Sequence, residues 1–121
     1  MVAPGKLWVP DRRDMVWIDF NPQVGSEMDE HPMLVLSTKA FNERTGLVIG
    51  LPMTHAASNE TNPFVVKYAG PKGEVGYVLA HQPKSFDWRR RGARPHPWKQ
   101  VSPMVVAAAC EGLNSIISLD G

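Results

Sequence analysis

The chain has 121 residues, enough to close a single hydrophobic core, so one domain spanning residues 1–121 is expected. Hydrophobic residues make up 43% and charged residues 21%, an ordinary globular balance that excludes wholesale disorder, and the lone Cys110 excludes an internal disulfide. A net charge of +1 excludes a protein that binds polyanions over its whole surface. The charge is uneven, however: Lys84, Arg89, Arg90, Arg91, Arg94 and Lys99 stand against the single acid Asp87 within residues 84–99.

Residues 1–13 lack the apolar core of a signal peptide, and no run approaches a membrane span. With the unpaired cysteine, this points to a cytoplasmic protein that does not enter a membrane. The arm is expected to be anchored by Trp8. Asp14 to Phe20 alternates as a strand and is closed by the turn signal Asn21-Pro22. A polar loop follows, long for a hairpin, and then the short branched run Met33-Leu34-Val35-Leu36, which reads as a strand buried on both faces. Pro32 pushes His31 toward an extended backbone, so the imidazole leaves the loop in a defined direction.

Thr38 to Arg44 reads as one or two helical turns stopped by Thr45-Gly46, and Leu47 to Met53 as a strand in which Gly50 marks a bulge or a close backbone approach. That strand delivers Thr54 and His55 to a flexible loop, Ala56 to Asn62. Pro63 to Tyr68 and Glu74 to Ala80 pair through the turn between them, the second ending at His81-Gln82-Pro83. Pro95 and Pro97 restrict the basic segment to an edge strand or a loop. Ser102-Pro103 is an N-cap and first-turn pair opening a helix of about four turns. Its expected apolar stripe is Val106, Cys110, Leu113 and Ile117, with Ala109 and Ile116 beside it, which makes Cys110 a core thiol.

Strands with one terminal helix and no alternating βαβ rhythm give a mainly β protein with minor α: a small, curled, largely antiparallel barrel with a helix packed on it. Polar groups collect where strands meet loops, namely Glu27 with His31, Thr54 with His55, and His81 with Gln82. There is no Gly-rich phosphate loop, no paired Cys/His spacing and no nucleophile elbow, and His31, His55 and His81 have no recognised metal-ligand spacing. Basic side chains mixed with Phe86, Trp88 and Trp98 suit single-stranded nucleic acid, although a solvated basic hairpin has the same composition. RNA cleavage needs a base for the 2′-hydroxyl, an acid for the departing 5′-oxygen and donors to the phosphate. Histidine, threonine and nearby Arg or Lys meet those needs. His96 and His55 read instead as structural.

The ordered blocks PDRRDMVWIDFNPQVGSE, HPMLVLS, AFNERTGLVIGLPMT, NPFVV and HQPKSFDWRRRGA resemble the MazF/PemK (Kid-type) toxins of toxin–antitoxin systems, from about Pro10 to Ala93 and more loosely into the C-terminal helix. The resemblance implies a homodimer of SH3-like barrels that cleaves single-stranded RNA without metal or other cofactor, leaving a 2′,3′-cyclic phosphate and a 5′-hydroxyl. It also implies a MazE/PemI-like antitoxin whose acidic or hydrophobic tail lies over the RNA groove. Thr54 corresponds to the Thr expected to bind the scissile phosphate, Glu27 to the Glu that orders its loop, and Gln82 to a Gln that acts as base or phosphate contact.

Two positions depart from the family pattern. His31 stands where the family has a catalytic Arg, and His81 stands where it has Asp. The substitution at 31 exchanges a permanent charge for a titrating one. Either His31 and His81 form an acid–base pair with Arg12, Arg13 or Lys84 supplying the cation, or activity is weak or lost. The catalytic set is therefore His31, Thr54, His81 and Gln82, with Glu27, Arg12, Arg13, Lys84, Arg89 and Arg91 as RNA contacts and no metal. A CcdB-like gyrase inhibitor, which cuts nothing, and a binding-only homologue are the competing readings.

Overall fold

The computed structural model describes residues 7–21 and 29–119. The elements run β1 (Asp14–Asp19), β2 (Glu30–Val35), α1 (Lys39–Thr45), β3 (Leu47–Thr54), a 3₁₀ turn (Ala57–Thr61), β4 (Val65–Ala69), β5 (Val75–Leu79), β6 (Lys84–Asp87), β7 (Arg94–Gln100) and α2 (Pro103–Ile117). All the strand pairings are antiparallel, in the order β4-β5-β3-β2-β1-β7, with β6 joining the first half of β3. The architecture is the expected one, a mainly β half-barrel with a C-terminal helix.

β2 and β3 alternate between two cores. Leu34, Leu51 and Met53 face a core under α2 that also holds Met15, Val78, Val106, Ala109 and Leu113. Met33, Val35 and Val48 face a second core with Val16, Ile18, Val9 and Trp88. Burial on both faces explains why Met33-Leu34-Val35 is a continuous apolar run. Gly50 is the close approach its position suggested: a Cβ there would strike the Leu34 carbonyl oxygen and the end of Met33.

The sheet curls until its two edge strands meet through side chains. Trp98 on β7 lies edge-on to Tyr68 on β4, centroids 6.4 Å apart, with its ring laid against Gly70. His96, buried beside it, stacks on Trp17 at 4.8 Å and accepts the Trp98 backbone N–H at Nδ1 over 3.1 Å. That acceptor role requires the neutral ring.

α1 begins at Thr38, whose hydroxyl accepts from Phe41 N–H, and ends at Gly46, with φ 74°. Asn42 inside it is fully buried. It donates from Nδ2 to the carbonyls of Pro10 and Ser37, and its own carbonyl receives Trp88 Nε1–H. In α2, Ser102 caps and Pro103 opens the helix as expected.

Three sequence expectations are corrected. Buried residues of α2 are Val106, Ala109 and Leu113; Cys110 is only half-buried, and Ile116 and Ile117 are exposed, because the helix rolls Ala109 toward the sheet. The Ala56–Asn62 loop contains the 3₁₀ turn. The basic segment supplies two strands, the edge strand β7 and also β6, whose four residues pair with Leu47–Gly50 ahead of the prolines. Among the described residues no helix is long and apolar enough to cross a membrane.

Gly50→Ala is expected to cost about 3 kcal/mol through forced separation of β2 from β3, read as a lower urea midpoint. Burial, and after it the charge of Arg94, holds the His96 pKa below the ordinary 6.5. The unfolded chain therefore takes up this proton first, so the stability at stake is whole above pH 6.5 and declines as pH falls below it. Thermal melts between about pH 7.5 and 5.5 are expected to drop less in His96→Asn than in the wild type.

Candidate active site on the β2–β3 face

Asp19, at the end of β1, is buried, and its Oδ1 accepts the backbone N–H of Asn21 (3.0 Å) and of Asp29 (3.1 Å). Phe20 N–H adds a bond to the Asp29 carbonyl at 2.9 Å. The two ends of the segment between Asn21 and Asp29 are thereby tied, and the Asp29 carboxylate is fixed in place. Its Oδ1 lies 2.7 Å from Nε2 of His31, both side chains being about half exposed (51% and 50%). The His31 ring meets the Phe20 ring edge-on at 5.2 Å, and Phe20 meets Phe86 at 5.1 Å. The Arg91 guanidinium lies 4.1 Å from the Phe86 centroid and donates to the carbonyls of Asp19 and Phe20. A hydrogen-bonded carboxylate orients the imidazole on one side and an aromatic ledge supports it on the other.

The register sets what lies next to His31. Met33 pairs with Pro52, so His31 and Thr54, each two residues further on, lie on the same face of adjacent strands. Thr54 pairs with Tyr77, and Tyr77 with Lys67. Thr54, Tyr77 and Lys67 are thus paired neighbours across β3, β5 and β4, and extending the β2–β3 register past Met33–Pro52 brings His31 into the same row, about 14 Å long at ordinary strand spacing. Thr54 Oγ1 accepts the Ala56 backbone N–H at 3.2 Å, and its own hydrogen has no acceptor among the described residues. At the far end Glu60 accepts from Tyr77 Oη–H (2.6 Å) and Lys67 Nζ (3.0 Å). The phenol bond, then the ammonium, lower the Glu60 pKa; the same carboxylate raises those of Tyr77 and Lys67.

The other expected residues are dispersed. Lys84 pairs with Gly50 and, two residues from Phe86, shares the face of the aromatic ledge. Arg12 donates to the Leu36 carbonyl and to Cys110 Sγ, beside α2, and Arg13 to the Val101 carbonyl. Both precede β1, whereas His31 pairs with Ile18, five residues and about 16 Å along from Arg13. Neither arginine can serve as the cation at His31. Arg89 donates to the Glu43 carbonyl at the C-terminal end of α1 and lies over Trp88, away from the row. Arg91 supports the ledge from beneath.

His81 and Gln82 lie between Val78, paired with Met53, and Lys84, paired with Gly50. Six residues of chain there span three of β3, so the segment bulges. Gln82 Nε2–H donates to His81 Nε2 at 3.3 Å, the ring lies 6.3 Å from that of Phe64, and the buried Nδ1 has no partner among the described residues. No hydrogen bond or ring contact joins His81 to His31, because their strands lie on opposite sides of β3, so the paired acid and base are not assembled. Glu27 lies outside the described residues. Among the described residues no group of three or more His, Cys, Asp or Glu side chains could hold a metal.

Sequence reasoning missed Asp29, Phe20, Tyr77, Lys67 and Glu60. Asp29 had a signal, a carboxylate two residues before the histidine on a stretch about to become a strand. Tyr77 and Lys67 meet only through pairing register, and Phe20 and Glu60 arrive from a strand end and the 3₁₀ turn.

Comparison with known proteins places the chain in a family. Residues 11–117 match the family model of the PemK-like, MazF-like toxin of type II toxin–antitoxin systems. The endoribonuclease toxin MazF of Escherichia coli K12 is 41% identical over 87 residues, 71% of this chain and 76% of that protein. The crystal structure of MazF from Deinococcus radiodurans superposes with a TM-score of 0.79 at 35% identity, covering 93% of this chain and 100% of that one. A MazE–MazF structure from the same organism gives 0.78 at 36% identity, covering 92% and 98%. The chain belongs to the PemK-like, MazF-like family of type II toxin–antitoxin toxins.

Proposed function

We propose that this chain is an endoribonuclease toxin that cleaves single-stranded RNA through 2′-hydroxyl attack and is neutralised by a cognate antitoxin. The observation that carries the reading is the half-exposed His31, its imidazole oriented by Asp29 with an aromatic ledge next to it, on the face that Thr54 shares by strand alternation from the Met33–Pro52 pair. The relatives named as MazF endoribonucleases support the activity, and the D. radiodurans MazE–MazF structures support a MazE/PemI-like partner. Nothing in these comparisons favours a gyrase inhibitor. The whole chain acts as one domain, working as a homodimer in the cytoplasm, where its RNA and antitoxin are found.

In the proposed reaction the 2′-oxygen bonds to phosphorus as the P–O5′ bond breaks. His31 gives its proton to the departing 5′-oxygen, the part the family resemblance assigns to Arg. Thr54 donates to a non-bridging oxygen, and Lys84 supplies positive charge from the same face. The 2′-hydroxyl proton passes to water, the Asp29 carboxylate being engaged with the His31 ring that it orients. Bases stack on Phe20 and Phe86.

Mapping the ends of digested RNA tests this directly. Fragments are expected to carry 2′,3′-cyclic phosphate and 5′-hydroxyl ends, and a 2′-deoxy nucleotide at the cut site blocks cleavage. His31→Ala is expected to lower the rate at least about 100-fold and Thr54→Ala by a similar factor, while His31→Arg retains cleavage and His81→Ala changes it little. Undiminished cutting by His31→Ala contradicts the assignment; RNA retention without products identifies a binding-only homologue.

A further inference from the structure

Beyond His31 and Thr54 the polar row continues into residues that the proposed reaction leaves unused. Tyr77 sits directly across from Thr54 and Lys67 directly across from Tyr77, so all three point from one face. Their phenol and ammonium donors converge on a single carboxylate, Glu60, at 2.6 and 3.0 Å. A cation and a hydroxyl converging on two oxygens of an anion form the donor set that also suits a phosphate.

We propose that Lys67 and Tyr77 form a phosphate subsite for the RNA strand, and that Glu60 occupies this subsite until RNA displaces it. The inference rests on the RNA-cleaving reading above. Lys67 stands two strands from Thr54, about 10 Å at ordinary strand spacing, where a neighbouring phosphate of a strand laid along the row would arrive. Two contacts hold Glu60: the 2.6 Å bond from Tyr77, itself only 5% exposed, is the firmer, and the one to Lys67 is weak. Both members of the Lys67–Glu60 pair are more than half exposed (56% and 51%), and exposed pairs are weak. The 3₁₀ turn that carries Glu60 has no side-chain cap at its start. The segment leading to it is held to β3 by Ala56 N–H on Thr54 Oγ1, the hydroxyl that meets the scissile phosphate. Substrate at Thr54 and release of Glu60 are therefore linked through one short segment. Net positive potential along the row stays low until RNA arrives.

The test is binding of a single-stranded RNA made uncleavable by a 2′-deoxy nucleotide, measured across a salt series. Glu60→Gln keeps a hydrogen-bond acceptor for Tyr77 but frees Lys67. It is expected to bind several-fold tighter than wild type with the log–log salt slope unchanged, because RNA reaches Lys67 in both proteins, whereas Lys67→Ala is expected to make the slope shallower by about 0.7. Lys67→Ala is expected to bind more weakly and to abolish the gain when combined with Glu60→Gln. Glu43→Gln, an exposed acid on α1, controls for net charge and is expected to change neither quantity. Equal behaviour of Glu60→Gln and Glu43→Gln would show that Glu60 merely staples the loop and would overturn the subsite. Wild-type protein that cleaves RNA in that case leaves the proposed function standing. Wild-type protein that neither binds nor cleaves RNA overturns both.

Discussion

Leu34 faces the core beneath α2, whereas Met33 and Val35 on either side of it face the core beneath Trp88, and all three are fully buried. A slip of one residue between β2 and its neighbours would exchange the two faces and put every one of these side chains in the wrong core. Gly50 enforces the same register sterically, because only a residue without a Cβ lets β3 lie against the Leu34 carbonyl. The site inherits this constraint. His31 and Thr54 share a face only because Met33 lies opposite Pro52, and Tyr77 and Lys67 join the row through the same alternation. The packing of the core thus sets the geometry of the reactive face.

Charge follows a different logic from the one its distribution along the chain suggests. Several cations of the basic segment have partners within the fold, Arg91 on the carbonyls of Asp19 and Phe20, Arg89 on the end of α1 and Arg94 on Glu30, while Arg90 stays 89% exposed, 3.8 Å from Asp87. The Arg94–Glu30 pair is bidentate, at 3.1 and 2.9 Å, and holds the edge strand β7 to the start of β2. On the face that bears His31 and Thr54 the cations are Lys84 beside the aromatic ledge and Lys67 behind Glu60. A modest net charge is sufficient for such a site, because recognition comes from stacking and a few placed donors rather than from a broad electropositive surface.

The strands were legible because their apolar runs are short, β-branched and punctuated by turn residues; both helix caps were legible for the same local reason. β6 was not, because Lys-Ser-Phe-Asp has little apolar content and becomes a strand only by pairing with Leu47–Gly50. The buried Asn42 was hidden too, since an asparagine in a short helix normally faces solvent and this one is retained by two carbonyls distant in sequence or across a turn. His31 and Thr54 were nameable from a likeness to known toxins. Their partners were not, since no local pattern states that Tyr77 and Lys67 reach the site through cross-strand pairing, or Phe20 and Glu60 from a strand end and a 3₁₀ turn. Where Arg12 and Arg13 lie was not legible, because sequence counts a cation without saying which carbonyl receives it.

The central claim is that the face bearing His31 and Thr54 is where RNA is held. Residue-resolved amide shifts on titration with a 2′-deoxy-blocked single-stranded RNA test it most directly. The largest shifts are expected at Phe20, His31, Thr54 and Phe86, extending to Tyr77 and Lys67. Shifts confined to α2 and the neighbourhood of Arg12 and Cys110, with the β2–β3 face unmoved, would contradict it.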